Sequence, residues 1–416
     1  MHKLNTVILC FIGLFIFSCS QQKQSVVEEE TALEPSMELA DSLAKKFIIV
    51  DGHVDLPFRL VTQMFRFKKI LEDVSQRTEK GNFDYVRAKE GGLDAPFMSI
   101  YIPSSRQLNG TAKSLADSLI NIIEDITTKH PDKFALAKTP EEVEENFKKG
   151  IISMPMGMEN GAPIMDDIAN VGYFYERGIR YITLTHSKDN QICDSSYDST
   201  YKWNGLSPFG EEVVAEMNNV GIMVDVSHIS DSAFYDVMKI TKAPVIASHS
   251  SCRKYTPGFQ RNMNDEMIKV MGENGGVIQI NFGSTFIDGE LQAKSKANRA
   301  KVRAYMKENN LEYGDSLVTA FIAEVNSENP PYSTVQKVAD HIDHVVSLVG
   351  VDHVGFGSDF DGVGDSLPVG LKDVSQYPNL IFELLKRGYS PEDIEKICYK
   401  NVFRVWKEVQ NVAAAS

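Results

Sequence analysis

Eight short apolar, β-branched runs recur along this chain, at 47–50, 97–102, 151–158, 180–185, 221–226, 244–247, 277–282 and 353–357. Runs of this length bounded by polar residues read as strands. Between them, segments such as 208–219, 231–240, 264–274 and 334–349 carry helical apolar spacing. Strands alternating with helices imply a parallel sheet. With about eight strands, the expected fold is α/β, a closed (β/α)8 barrel of the TIM type. A chain of 416 residues accommodates one such barrel with insertions.

The residues that end each run narrow the function. His53, Glu159, His186, His228, His249 and Asp359 each stand at the C-terminal end of a predicted strand. That end of the barrel is where the βα loops converge and active sites form. Single polar turn formers often succeed strands, which would explain Asp359 alone. They do not explain four of the nine histidines. The net charge of −14 disfavours a polyanionic partner, so nucleic acid is not expected.

The residue types suit a two-metal centre. In His53-Val54-Asp55, side chains two apart on an extended segment share a side, so an imidazole and a carboxylate can grip one cation. Glu159 has two oxygens, enough to bridge ions about 3.5–4 Å apart. His228 and His249 come from adjacent predicted strands and suit a second ion. Zinc fits this donor set, and manganese, cobalt or iron could substitute. Asp359 is placed to move a proton between water and leaving group. Asp361 could compete, but before Gly362 it reads as a turn residue. His341 and His344, three apart on a predicted helix, are expected on its polar outer face and not as ligands. The chain has no His-Glu-x-x-His, Gly-x-Ser-x-Gly or Walker A motif. Cys193, Cys252 and Cys398 lack Cys-x-x-Cys spacing, so no thiolate cluster is expected, although one disulfide is possible.

Residues 1–19 read as a signal peptide, with Lys3 before an apolar core at 7–17. The stretch 16–19 is similar to a bacterial lipoprotein box, with Cys19 as the lipidated residue. A polar tether is expected over 20–40 and one metallohydrolase domain over 41–410. The stretch 284–333 breaks the strand–helix rhythm. It is expected to be a helical insertion after the seventh strand, serving as a lid or as surface decoration.

Six blocks together resemble the membrane dipeptidase (renal dipeptidase) family of zinc peptidases, a branch of the amidohydrolase-like barrels. They are Asp51-Gly52-His53-Val54-Asp55-Leu56-Pro57, Gly157-Met158-Glu159-Asn160-Gly161, Tyr181-Ile182-Thr183-Leu184-Thr185-His186, Asp225-Val226-Ser227-His228, the stretch 243–251 around His249, and 354–363 around Asp359. They run in order from about 45 to 408.

The resemblance implies two zinc ions per chain. One would be held by His53, Asp55 and Glu159, the other by Glu159, His228 and His249, with a hydroxide bridging the ions and attacking the peptide carbonyl. His186 would polarise the carbonyl, Arg261 would contact the substrate, and Asp359 would handle the proton. The substrate would be a dipeptide, often with a D-residue at its C-terminal side. A homodimer is a further implication.

Two departures concern specificity. Gly283 stands where mammalian members carry a Tyr, and the 284–333 insertion is longer than theirs. The tail at 411–416 lacks the hydrophobic segment of their glycolipid anchor. An N-terminal lipid would tether this chain instead, in the bacterial envelope, facing the periplasm. Two other readings compete. One keeps the metals but acts on a lactone, an N-acyl amino acid or a phosphotriester. The other is a non-catalytic tethered binding protein, which predicts loss of a ligand position.

Overall fold

The computed structural model describes residues 34–63 and 71–416. The expected leader and Cys19 lie outside the described residues. Among the described residues ten strands are present: β1 (Ile49–Val54), β2 (Leu93–Tyr101), β3 (Phe134–Leu136), β4 (Ile152–Met154), β5 (Met156–Glu159), β6 (Ile179–Thr183), β7 (Met223–Asp225), β8 (Ile246–Ser250), β9 (Val277–Ile280) and β10 (Val354–Phe356). Eight close a parallel barrel in the order β1-β10-β9-β8-β7-β6-β5-β2, the expected (β/α)8 architecture.

One predicted strand is two. Pro155 lacks an N–H to continue a ladder, and the chain changes partner there. β4 pairs with β3 in a small separate sheet, while β5 enters the barrel between β2 and β6. β3 was not expected from the sequence. The domain begins at Pro35, inside the expected tether, because helix Met37–Lys46 is capped by Ser36 and buries Ala40, Leu43 and Ala44.

The barrel strands are buried throughout, apart from the half-exposed Tyr101 at the end of β2. Contiguous ring contacts run down from the site. His53 stacks on Tyr181 at 6.5 Å, Tyr181 meets Phe97 at 5.4 Å, and Phe97 meets Trp406 of the C-terminal helix at 5.2 Å. Gly157 makes room for this stack. It is in register with Tyr181 on the next strand, and a Cβ there would lie 2.0 Å from the tyrosine ring.

The 284–333 segment is helical, as expected: Ser284–Ile287, Gly289–Asn309 and Ser316–Glu328. The two longer helices pack through Tyr305 stacked on Phe321 at 4.1 Å. His341 and His344 are not on an exposed face. His341 is fully buried, with Nδ1 accepting the Cys252 amide and Nε2 donating to the Ile287 carbonyl. His344 pairs with Asp265 at 2.8 Å. Their helix buries them because it packs against the turn after β8 and the start of the insertion. The three cysteines of the domain are free and buried. Among the described residues no helix is long and apolar enough to cross a membrane.

Asp94, at the start of β2, is buried and accepts only the Ile49 amide, at 3.3 Å. Burial pushes its pKa up to about 7, against the weaker pull of Lys89 and that amide. Its folded pKa lies above its unfolded one, so the fold is most stable with Asp94 protonated. That advantage is lost as pH rises from the unfolded value toward about 7. Asp94→Asn should therefore raise Tm at pH 8 by about 2–4 °C and leave it unchanged near pH 4, read by differential scanning calorimetry.

Candidate metal centre

Two buried carboxylates bend the strand ends that carry the site. Asp51 Oδ1 accepts the amides of His53 and Ser358, at 3.0 and 2.9 Å, and Oδ2 accepts the hydroxyls of Ser358 and Tyr377. Asp225 repeats the pattern. Its Oδ1 accepts the amides of Ser227 and Ser248, at 3.0 and 2.9 Å, and Oδ2 accepts Thr183 Oγ1 and Ser248 Oγ. Each acid thus satisfies amides that the ladder leaves unpaired where the chain leaves the barrel. The turns are tight enough that His228, Asp359 and Asp361 take φ of 69°, 64° and 68°. Non-glycine residues hold this region only when their surroundings fix them, and such positions cluster at functional sites.

Glu159, at the end of β5, is the hub. Its Oε1 lies 3.0 Å from His228 Nε2, 3.2 Å from His249 Nε2 and 3.6 Å from His186 Nε2. Its Oε2 lies 3.4 Å from His53 Nε2, which is also 3.5 Å from Asp55 Oδ2. The six predicted strand-end residues and Asp55 therefore meet. Three groupings bring ligand atoms within 4.8 Å of one another: His53, Glu159 and His249; Glu159, His186 and His228; and His53, Asp55 and Asp359.

Buried atoms without partners show what this arrangement lacks. His53 Nε2 and Asp55 Oδ1 are buried with no hydrogen bond. Orphaned polar atoms of this kind are costly in an apolar interior. Nitrogen lone pairs and carboxylate oxygens converging on shared space fit a divalent cation. Gly362 keeps that space open, since a Cβ there would lie 2.2 Å from Asp55 Oδ2 and 2.3 Å from Asp359 Oδ1.

The electrostatics agree. Burial raises the Glu159 pKa, but His53 and His186, with hydrogen bonds from His228 and His249, hold it well below the carboxylate range. Burial first, then the Arg261 charge for His228 and the His53 and Arg261 charges for His249, keeps both well below the usual histidine value, hence neutral. His53 goes the other way. Burial lowers it, but Tyr181, Glu159 and Asp55 carry it well above the usual value, so a proton and a cation compete for its Nε2.

His186 lies at the pocket wall, edge-on to Tyr101 at 4.9 Å. Asp359 Oδ2 accepts Asn281 Nδ2 at 2.8 Å. Asp361 is also buried at the pocket, but Arg59 Nε at 3.0 Å and the Asn82 amide hold it. It is thus more than a turn residue. Arg261 is buried behind the histidines, with Nη1 on Ser250 Oγ at 2.8 Å and Nη2 on the His249 carbonyl at 2.7 Å. Its Nε alone is unpartnered.

The cavity above this centre is about 420 Å³. Phe58, Tyr101, Tyr197, Phe286 and Val363 give it apolar walls. Sequence reasoning missed these, as it missed Tyr181 and the two bracket acids. Phe286 belongs to the insertion, whose first short helix thereby reaches the site. Its ring also occupies the space beside Gly283, where a Cβ would lie 2.5 Å from it.

Comparison with known proteins gives the same picture. Residues 37–416 match the family described as membrane dipeptidase (peptidase family M19). The dipeptidase verJ of Clonostachys rogersoniana is 33% identical over 93% of this chain and 91% of its own. The dipeptidase tcpJ of Claviceps purpurea is 31% identical over 92% and 87%. The crystal structure of the probable dipeptidase PvdM from Pseudomonas aeruginosa superposes with a TM-score of 0.77 at 27% identity, covering 91% of this chain and 99% of that one.

Proposed function

The chain belongs to the membrane dipeptidase family and is a metallo-dipeptidase, and from that premise we propose that it uses two zinc ions to hydrolyse dipeptides, including those with a C-terminal D-residue. The observation that carries the two-ion reading is the division of Glu159, with Oε1 facing His228 and His249 and Oε2 facing His53. A carboxylate whose two oxygens face two nitrogen sets would be able to hold two cations.

On this reading His53, Asp55 and Glu159 would hold one ion and Glu159, His228 and His249 the other. When bound, the ions supply a water acidified toward neutrality and positive charge for the carbonyl oxygen. The chain's own groups do the rest. His186, on the pocket wall, donates to the scissile carbonyl oxygen as charge develops there. Asp359, tethered by Asn281, takes the proton from the attacking water and passes it to the leaving amine. Arg261 holds the His249 backbone through Nη2, and its unpartnered Nε is a donor available to the substrate. The leader supports export and attachment by a lipid at Cys19.

The test is elemental analysis of the purified chain, with hydrolysis of Gly-D-Ala and of L,L-dipeptides before and after chelation. About two zinc ions per chain and chelator-sensitive cleavage of both substrate types are expected. Two ions without dipeptide cleavage would move the reaction to another bond, and no zinc after resupply would undo the metal assignment.

A further inference from the structure

One wall of the cavity comes from the insertion and is braced to the site's arginine. Phe286 is half-buried and lines the cavity. Its amide donates to the Gly283 carbonyl at 2.7 Å. Its carbonyl accepts Asn262 Nδ2 at 2.6 Å, and the same nitrogen donates to Thr256 Oγ1 at 2.8 Å. Asn262 follows Arg261 in the chain, so the ring and the guanidinium belong to one braced unit. The guanidinium carbon of Arg261 lies 5.8 Å from the centre of the Phe286 ring. That ring stacks on Phe259 at 5.8 Å, Phe259 meets Tyr197 edge-on at 6.0 Å, and Tyr197 lies 5.9 Å from the His228 ring. A continuous aromatic face therefore runs from His228 to the ring beside Arg261. A separate pair, Phe58 and Tyr101, edge-on at 4.9 Å, leads to His186 on another wall.

A dipeptide brings one carboxylate and two side chains to this space. None of the described residues lining the cavity is Lys or Arg. Arg261, just behind it, keeps an unpartnered Nε. An anion gains most beside a guanidinium donor, so the C-terminal carboxylate points toward Arg261. The side chain on the same Cα then falls against the Phe286 ring. An apolar side chain gains free energy there by leaving water, and a polar one of the same shape does not.

We infer that Phe286 is a specificity-determining residue, the wall that selects dipeptides whose C-terminal residue has an apolar side chain. The inference rests on the dipeptide-hydrolysis reading and adds the substrate class. It also gives the insertion a part in the reaction, through one ring.

The experiment measures kcat/KM for the zinc-loaded full-length chain and for Phe286→Leu, Phe286→Ala and Gly283→Ala. The substrates are Gly-Gly, Gly-Asn, Gly-Leu and Leu-Gly, with C-terminal Asn and Leu in both L and D forms. Asn and Leu have nearly the same shape, so the Gly-Leu to Gly-Asn ratio reads polarity rather than size. In the wild type that ratio should be about 10–100 for the faster isomer. Phe286→Ala should bring it below about 3, mainly through the KM of Gly-Leu, and leave Gly-Gly and Leu-Gly within about threefold of wild type. Phe286→Leu keeps an apolar wall and should keep most of the ratio. A Cβ at 283 displaces the ring, so Gly283→Ala should lower the ratio whatever it does to the overall rate. A merely structural role would lower all substrates together and leave the ratio unmoved, which would overturn the inference. So would a wild-type ratio near one, or a loss confined to Leu-Gly, which would put the N-terminal side chain on this wall. If Phe286→Ala does not fold, Gly283→Ala decides. If the wild type cleaves no dipeptide, the dipeptide-hydrolysis reading fails and this inference with it, whereas cleavage with an unmoved ratio overturns this inference alone.

Discussion

Glu159→Gln should purify as a folded protein with little or no bound zinc and with dipeptide hydrolysis reduced more than about a thousandfold. The substitution keeps the shape of the side chain and removes its charge. Oε1 faces three histidine nitrogens and Oε2 a fourth, so one change loosens both ligand sets. A Gln also presents an NH2 to lone pairs that should face a cation, and it can accept through one oxygen only. Stability should change less than activity. Without metal, Glu159 is a buried carboxylate, and its neutral replacement removes a desolvation cost as well as an attraction. Elemental analysis, a far-ultraviolet circular dichroism melt and the dipeptide assay on one preparation check all three. Zinc retained near two per chain with near-normal turnover would remove Glu159 from the bridge.

Asp359→Asn should have the opposite profile, with zinc content unchanged and kcat reduced by about 10²–10⁴-fold. Burial, and next the charge of Asp55, push the Asp359 pKa up to about 8 when no cation is present. A bound cation favours the charged form and draws that value down toward neutrality. A group titrating there can both take and return a proton, whereas an amide can do neither. The loss should appear in kcat more than in KM, because the proton moves only after substrate is bound. Asp359 lies close enough to His53 and Asp55 to offer an oxygen to the same ion. If it is a ligand, Asp359→Asn will lose zinc in proportion to activity, and the proton-transfer role fails.

These two residues were legible in the sequence because strand ends of a parallel barrel converge, and an ionisable side chain there has few reasons to exist except chemistry. The same logic exposed His53, His186, His228 and His249. It failed where a residue works across the barrel. Tyr181 reads as one more apolar position in a strand, since nothing local shows that its hydroxyl meets β1. Asp51 and Asp225 read as strand edges, because their partners at 248 and 358 are far along the chain. The pocket walls were invisible for a related reason. Phe286 lines the site only because its short helix turns back over the barrel mouth, a placement that no periodicity encodes. His341 was misplaced because an amphipathic pattern shows which residues share a face, but not that a neighbouring element covers the polar one. Pro155 could have been read correctly, since a proline inside a run of strand residues is itself evidence for two strands.

The barrel closes by pairing β1 with β10, and Asp51 fastens that seam through the Ser358 amide, 307 positions away. The order of synthesis is therefore not the order in which a site can exist. A nascent chain has made four of its site histidines long before Asp359, yet it has no closed ring to hold them in register. The stack from His53 to Trp406 likewise needs the final helix. The complete site therefore exists only once the two ends of the chain have met, and a chain cut short of its last strand carries the ligands without the vessel.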